Sequence, residues 1–357
     1  MTELRFLTPR RESGLTLIEL MIALALGLII VIAVINIFIA NRATFKSQEA
    51  LAQVQQNARI GYELLARDIR EAGGNPCGVP FSQVANLLNS TAWWANYSDG
   101  NVRGYDGADA GTPVSVGTGA KERVAGTDAV LVRGASAACE GTDLVIADHT
   151  PGTAQFKTGA DHCIYPGDVL MACDLKQAAI FQASAAVSTA RTIGHAVGGG
   201  VSPGNCSSKL GVPASCTTST FTDYTFSKEG IISRFSSTLW FVGNNDHGGR
   251  SLFRAKPKNA AVPDPLNPSV TNPTTVTDVE EIADGVVDMQ IEYLLREGGV
   301  LKSDYVVSTL VTPASNEVVA MRITLTVNSA NMAGTNAKPI ERKFAHIISL
   351  RNQEIIQ

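Results

Sequence analysis

From Leu15 to Ala40 the chain reads LTLIELMIALALGLIIVIAVINIFIA, and Glu19 is its only charge. As a helix this run would extend about 39 Å, against a bilayer hydrocarbon core of about 30 Å. After Ala40 the pattern changes. Between Asn41 and Glu71, apolar Phe45, Leu51, Val54, Ala58, Leu65 and Ile69 recur at helical spacing, which predicts an amphipathic helix with one packed face. Gly73-Gly74-Asn75-Pro76 ends it. One helix is therefore expected over residues 16–72, apolar on all sides first and one-faced afterwards.

Beyond residue 73 the pattern shortens. Val130–Val132, Leu144–Ile146, Val169–Met171, Ile180–Gln182, Leu239–Val242 and Met321–Val327 read as strands separated by Gly, Pro, Asn and Ser. Met321–Val327 alternates apolar with charged or hydroxyl residues, as a half-buried strand does. Asn244–Gly249 reads as a hairpin turn. Residues 183–220 and 255–278 read as long loops. Asp278–Asp288 is expected to form a short helix or turn before a strand at Met289–Leu295. The fold class is α+β: a long N-terminal helix packed on a mostly antiparallel head.

Composition narrows the setting. Of 357 residues, 17% are charged and the net charge is −4. There is no cluster of Lys and Arg interleaved with aromatics, so no nucleic-acid partner is expected. Cys77, Cys139, Cys163, Cys173, Cys206 and Cys216 all lie beyond the helix. An even count confined to one region points to disulfides in an oxidising compartment. Fifteen pairings are open, and the ten-residue spacings of Cys163/Cys173 and Cys206/Cys216 suit local loops. Free buried thiols are the alternative; zinc fits less well, because CxxC spacing is missing. Arg5, Arg10 and Arg11 precede the apolar run, and Arg42 and Lys46 follow it. That count barely favours a cytoplasmic N-terminus. The cysteines favour it more strongly, by placing the bulk of the chain outside.

A secretory signal would be shorter and would end at an A-x-A-like site. A plain signal anchor leaves Glu19 unexplained, because a carboxylate in an apolar run needs a partner. The residues Arg10-Arg11-Glu12-Ser13-Gly14, followed by Leu15-Thr16-Leu17-Ile18-Glu19-Leu20, resemble the prepilin motif of type IV pilins and type II secretion pseudopilins. The resemblance implies a leader at residues 1–14 and cleavage by a membrane peptidase between Gly14 and Leu15. Leu15 then becomes a methylated N-terminus, and Glu19 sets the register of assembly against a neighbour's terminal amine. Leu15 stands where the family usually has Phe. No proline follows in the membrane half, where many major pilins have one. On this basis residues 15–40 are the transmembrane half of the helix, 41–72 the amphipathic half, and 73–357 a periplasmic or extracellular head.

Further stretches resemble PilW-type minor pilins: Leu65–Gly73 with Cys77, Gly167–Leu170 with Cys173, Ala179–Gln182, Ser251–Arg254, Ile282–Tyr293 and Ser349–Asn352. The resemblance implies a minor pilin in a priming or tip complex of the inner membrane. Its partners would be other minor pilins, the major pilin, the prepilin peptidase and the assembly platform, with surface exposure after fibre assembly. The alternatives are a J-like minor pseudopilin of type II secretion and a tip adhesin using residues 82–125 and 183–220.

Candidate chemistry is sparse. His149, His162, His195, His247 and His346 show no metal-ligand spacing, and His162 and Cys163, being adjacent, point to opposite faces of a strand. The Asn244–Gly249 turn lacks EF-hand spacing. Trp93, Trp94 and Tyr97 are either a contact surface or buried core. No catalytic residue, cofactor or metal is expected, and the chain reads as a non-enzyme.

Overall fold

The computed structural model describes residues 16–97, 100–109, 111–260, 274–311, 316–332 and 338–351. One helix, α1, runs unbroken from Leu17 to Arg70, about 81 Å at 1.5 Å per residue. Thr16 caps it in an extended conformation, its hydroxyl accepting the Glu19 N–H. At the other end Gly73, at φ +75°, turns the chain into the head and donates its N–H to the Arg133 carbonyl.

The head begins with strands β1 (Val84–Asn86), β2 (Val102–Tyr105), β3 (Ala129–Ser136), β4 (Leu144–Thr150) and β5 (Gln155–Thr158). Next come β6 (Val169–Cys173), β7 (Ala178–Gln182), β8 (Ala185–Val187), β9 (Thr192–Gly194), β10 (Gly211–Ser215) and β11 (Thr220–Thr222). The chain then runs through β12 (Ile231–Asn244), β13 (Arg250–Asn259), β14 (Thr275–Asp284), β15 (Val286–Glu297), β16 (Val300–Val306), β17 (Asn316–Asn328) and β18 (Glu341–Ser349). β12 is the spine of a twelve-stranded sheet. A separate antiparallel sheet has the order β16-β15-β17-β18. Of the described strand pairs only β1 with β7 is parallel.

The second half of α1 lies over β14, β17 and β18. Val54, Ala58, Leu65, Ala66 and Ile69 join Trp240, Met289, Tyr293, Met321, Ile323 and Ile348 in one core. A second core, holding Phe156, Phe181, Phe226, Leu144 and Ile232, lies around β4–β9. Every strand expected from the sequence is present, and Asn244–Gly249 does connect β12 to β13. Trp94 and Tyr97 are buried and Trp93 packs beside them, so these aromatics are core and not a contact surface.

Three local expectations need correction. Residues 183–220 are not one long loop: they hold β8, β9, β10 and the start of β11, short strands that small residues and glycines disguise, although Cys206–Cys216 does tie the later part. Residues 255–259 and 275–278 are not loop: they belong to β13 and β14, which pair with each other, while 261–273 lie outside the described residues. Asp278–Asp288 is not a short helix but strand, a turn at Gly285, and strand again. Most of β14 is exposed, so its Asp and Glu residues hide the strand signature. Gly285 sits at φ +77°, and a Cβ there would come within 2.5 Å of the Asn328 carbonyl oxygen, so the turn requires glycine.

The six cysteines form Cys77–Cys173, Cys139–Cys163 and Cys206–Cys216. The Cys206/Cys216 spacing therefore reports a bridge and the Cys163/Cys173 spacing does not. β6 intervenes, and five extended residues carry the chain roughly 16 Å. Cys77–Cys173 spans 96 residues. A loop of that size gives roughly 4–5 kcal/mol in the chain-entropy account, and it ties the end of α1 to the main sheet.

The second core contains a pair of histidines that sequence spacing did not suggest. The Phe226 N–H donates to Nδ1 of His149 at 3.0 Å, so the proton of neutral His149 sits on Nε2. That N–H points at Nε2 of His195, 3.1 Å away. Phe156, Phe181 and Phe226 surround the rings. A second proton on either ring would set donor against donor in an apolar cage. Burial accordingly lowers the pKa of His149 to about 4, against a small opposing pull from Asp148, and that of His195 to about 3. Both rings favour the fold fully above the unfolded value near 6.5. That stability drains as pH falls from about 6.5 towards 4, because only the unfolded chain takes up protons there. Thermal melts of the detergent-solubilised chain should show Tm falling over this window. Replacing the pair (H149F together with H195F) should flatten the acid limb by roughly 3 kcal/mol or more between pH 7 and 4. An unchanged limb would place the acid sensitivity elsewhere.

Candidate functional site at the N-terminal helix

The two halves of α1 meet different surroundings. From Leu17 to Ile39, seventeen large apolar side chains are between 49% and 77% exposed. At roughly 1.5–3 kcal/mol for each side chain removed from water, this surface represents tens of kcal/mol. No described residue of the chain covers it. The helix is long and apolar enough to cross a membrane by length and composition. Among the described residues the Glu19 carboxylate has no ion-pair or hydrogen-bond partner. It lies in the first turn, where the helix dipole favours an anion. Gly14 and Leu15, the expected cleavage and methylation positions, lie outside the described residues.

The head takes hold of α1 at Ala50. Ala50, Val54, Ala58, Gly61, Leu65, Ala66 and Ile69 are buried, at spacings that keep one face inward. Val54, Ala58, Leu65 and Ile69 are as the sequence pattern predicts. Phe45 is 66% exposed because it lies ahead of Ala50, the first buried position, and Leu51 is only half-buried. Gly61 marks the closest approach: a Cβ there would come within 3.1 Å of Leu252 and 3.4 Å of Ala283. Asn57 donates to the Asp284 carbonyl at 2.9 Å, and the ring of Tyr62 lies 4.0 Å from that of His346.

Polar contacts fix the rotation of the helix at its lower end. Asp68 is nearly buried and accepts the indole N–H of Trp240 at 3.1 Å. Arg67, Arg254 and Lys256 stand 3.7, 3.8 and 3.9 Å from its carboxylate. Arg254 also lies against the Trp240 ring and pairs with Glu280 at 2.6 Å. Sequence reasoning missed this cluster. The available signal was Asp68 three residues after Leu65 and beside Ile69, a carboxylate bordering the apolar stripe.

The comparison with known families meets the same end of the chain. Residues 9–35 match the prokaryotic N-terminal methylation motif. The match supports a type IV pilin-like or pseudopilin-like protein. No curated protein and no solved structure matches the chain. The matched motif overlaps the exposed apolar half of α1, and the head is fixed to the other half. The helix and the motif are consistent with a membrane anchor.

Substituting Asp68 tests the seat. Asp68→Ala leaves the buried Trp240 N–H unpaired and removes the anion from three cations. It should cost about 1–3 kcal/mol, read as a lower Tm. Hydrogen exchange over residues 60–72 should quicken with it. A loss confined to the distal core, with this segment still protected, would contradict the assignment.

Proposed function

We propose that the chain is a minor pilin of PilW type, a structural subunit without catalysis. Held in the inner membrane through residues 15–40, it joins other minor pilins in a complex that primes fibre assembly and stays at the tip. The observation that carries this reading is α1 itself. Its first half offers apolar surface on every side with a lone carboxylate at Glu19, and its second half is fixed to a disulfide-braced head. In this role the peptidase cuts after Gly14, and the methylated amine of Leu15 in one subunit faces Glu19 of the next. An intramembrane carboxylate costs about 2.5–3.5 kcal/mol at the bilayer centre on insertion scales. An amine at the same depth offsets that cost only in the correct axial register.

The large head and the Ile282–Tyr293 stretch favour a PilW-type subunit over a J-like pseudopilin. In this fold the stretch carries β14 through Gly285 into β15 beneath the helix. The separating outcome is genetic: deletion should abolish surface fibres and leave protein secretion intact, whereas the reverse pattern assigns the chain to a secretion system.

Two substitutions test the mechanism. Gly14→Ala should block processing, leaving a membrane-bound chain about fourteen residues longer by mass. Glu19→Ala should be processed and stable in the membrane, yet at least tenfold depleted from sheared fibres. Wild-type incorporation of Glu19→Ala would remove the register argument.

A further inference from the structure

The three disulfides differ in what surrounds their sulfurs. Cys173 is fully buried at the end of β6 with Cys77 packed beside it, and among the described residues no hydrogen-bond donor reaches either sulfur. In the Cys206–Cys216 bridge, Cys216 Sγ faces the Leu88 carbonyl oxygen at 3.6 Å, an acceptor that disfavours a thiolate. The Cys139–Cys163 bridge is different at both ends. The backbone N–H of Cys163 donates to Cys139 Sγ at 3.0 Å. Cys163 Sγ lies 3.2 Å from the Ala138 carbonyl oxygen.

These two contacts match the needs of a reduced pair. A thiolate requires a donor, and an N–H aimed at sulfur favours the charged form. A neutral thiol is a weak donor and requires an acceptor. Once the bridge is open, Cys139 accepts the Cys163 N–H as a thiolate, and Cys163 gives its S–H to Ala138. That carbonyl already takes the Arg234 Nε–H at 2.9 Å and keeps a second lone pair. Arg234 also stands 3.9 Å from Cys163 Sγ, but its charge is spent on Asp168 at 2.8 Å. Cys139 and Cys163 are half-buried, and Glu140, Gly141 and Thr142 are exposed. Backbone bonds in both directions between Cys139 and Thr142 close this turn, so Cys139 is held in place without the bridge.

We propose that Cys139–Cys163 is an exchangeable bridge that takes up a low-molecular-weight thiol as a mixed disulfide on Cys163. The incoming thiolate attacks Cys163 Sγ. A new S–S bond forms as the Cys139–Cys163 bond breaks, and the electron pair leaves on Cys139 Sγ, where the Cys163 N–H receives it. One thiolate is consumed and one is formed, so charge and protons balance. The sulfur of lower pKa leaves faster, which fixes the direction of attack. Opening frees the 139–142 turn from the segment before β6, beside the second core, while Asp68 and Cys77–Cys173 are untouched. This site does not depend on the assembly role of α1.

Exposure of the full chain in detergent to 2-mercaptoethanol, with iodoacetamide trapping and peptide mass spectrometry, tests the bridge. Cys139–Cys163 should open at least about tenfold faster than the other two bridges, with the thiol adduct on Cys163 and the alkyl group on Cys139. An adduct on Cys139, earlier opening of another bridge, or no opening before the chain unfolds overturns the proposal. Two single variants test the cause. Cys163→Ser keeps the N–H at position 163. Its Cys139 should be alkylated with a midpoint about one pH unit below that of Cys163 in Cys139→Ser. Equal midpoints or the reverse order also overturn the proposal. Two intact bridges by mass and an unchanged circular dichroism spectrum certify each variant. Should either fail that check, the position of the adduct on the wild-type chain decides.

Discussion

A helix of 54 residues carries more apolar surface than one head can cover, and this constraint organises the chain. From Ala50 onward the inward face is absorbed by β14, β17 and β18. Before Phe45 none of the described residues of the head covers it. A soluble protein would not leave seventeen large apolar side chains in water. The surface suits lipid or other helices, and it overlaps the methylation motif at residues 9–35. The head therefore has to hold the helix at one end only, firmly enough that the free half keeps a defined direction.

Three kinds of contact supply that hold. Apolar packing around Gly61 and Leu65 is non-directional and sets how closely the helix lies. The Asp68 cluster is directional and sets its rotation, because a nearly buried carboxylate cannot leave Trp240 without stranding a charge. Cys77–Cys173 then prevents the segment after the helix from drifting away from the main sheet. Elsewhere the head pairs its buried charges within itself. Arg123, fully buried, donates to the carbonyls of Asp106, Asp109 and Thr127. Asp128, which burial pushes up to about 6, accepts the Ile291 N–H and joins the 106–128 segment to β15.

How much of this was legible in the sequence follows from the length scale of each signal. α1 was readable because its two patterns run for dozens of residues and glycine and proline end them. The strands at Leu239–Val242 and Met321–Val327 were readable because they alternate or are wholly apolar. β14 was not, since an edge strand facing water carries polar residues on both sides of the pleat. The Asp68–Trp240 contact joins residues 172 positions apart, and the His149–His195 contact joins residues 46 apart. No local periodicity encodes such pairs. The disulfides fall between these cases: that all six cysteines pair was expected from their even count, whereas only the path of β6 rules out Cys163 with Cys173.

The distance between the two ends of α1 links the motif to the seat. Glu19 and Asp68 are 49 positions apart in the chain, or about 74 Å along the helix. On the proposed function, the first fixes the height of the subunit relative to its neighbour, and the second fixes the direction in which its head faces. Over such a lever a change of 5° at the seat moves the far end by about 6 Å, more than one helical turn of 5.4 Å. A loose seat would therefore let Glu19 meet its partner amine while the heads failed to meet each other. Fixing the helix at Asp68 by directional contacts, and not by apolar packing alone, answers that requirement.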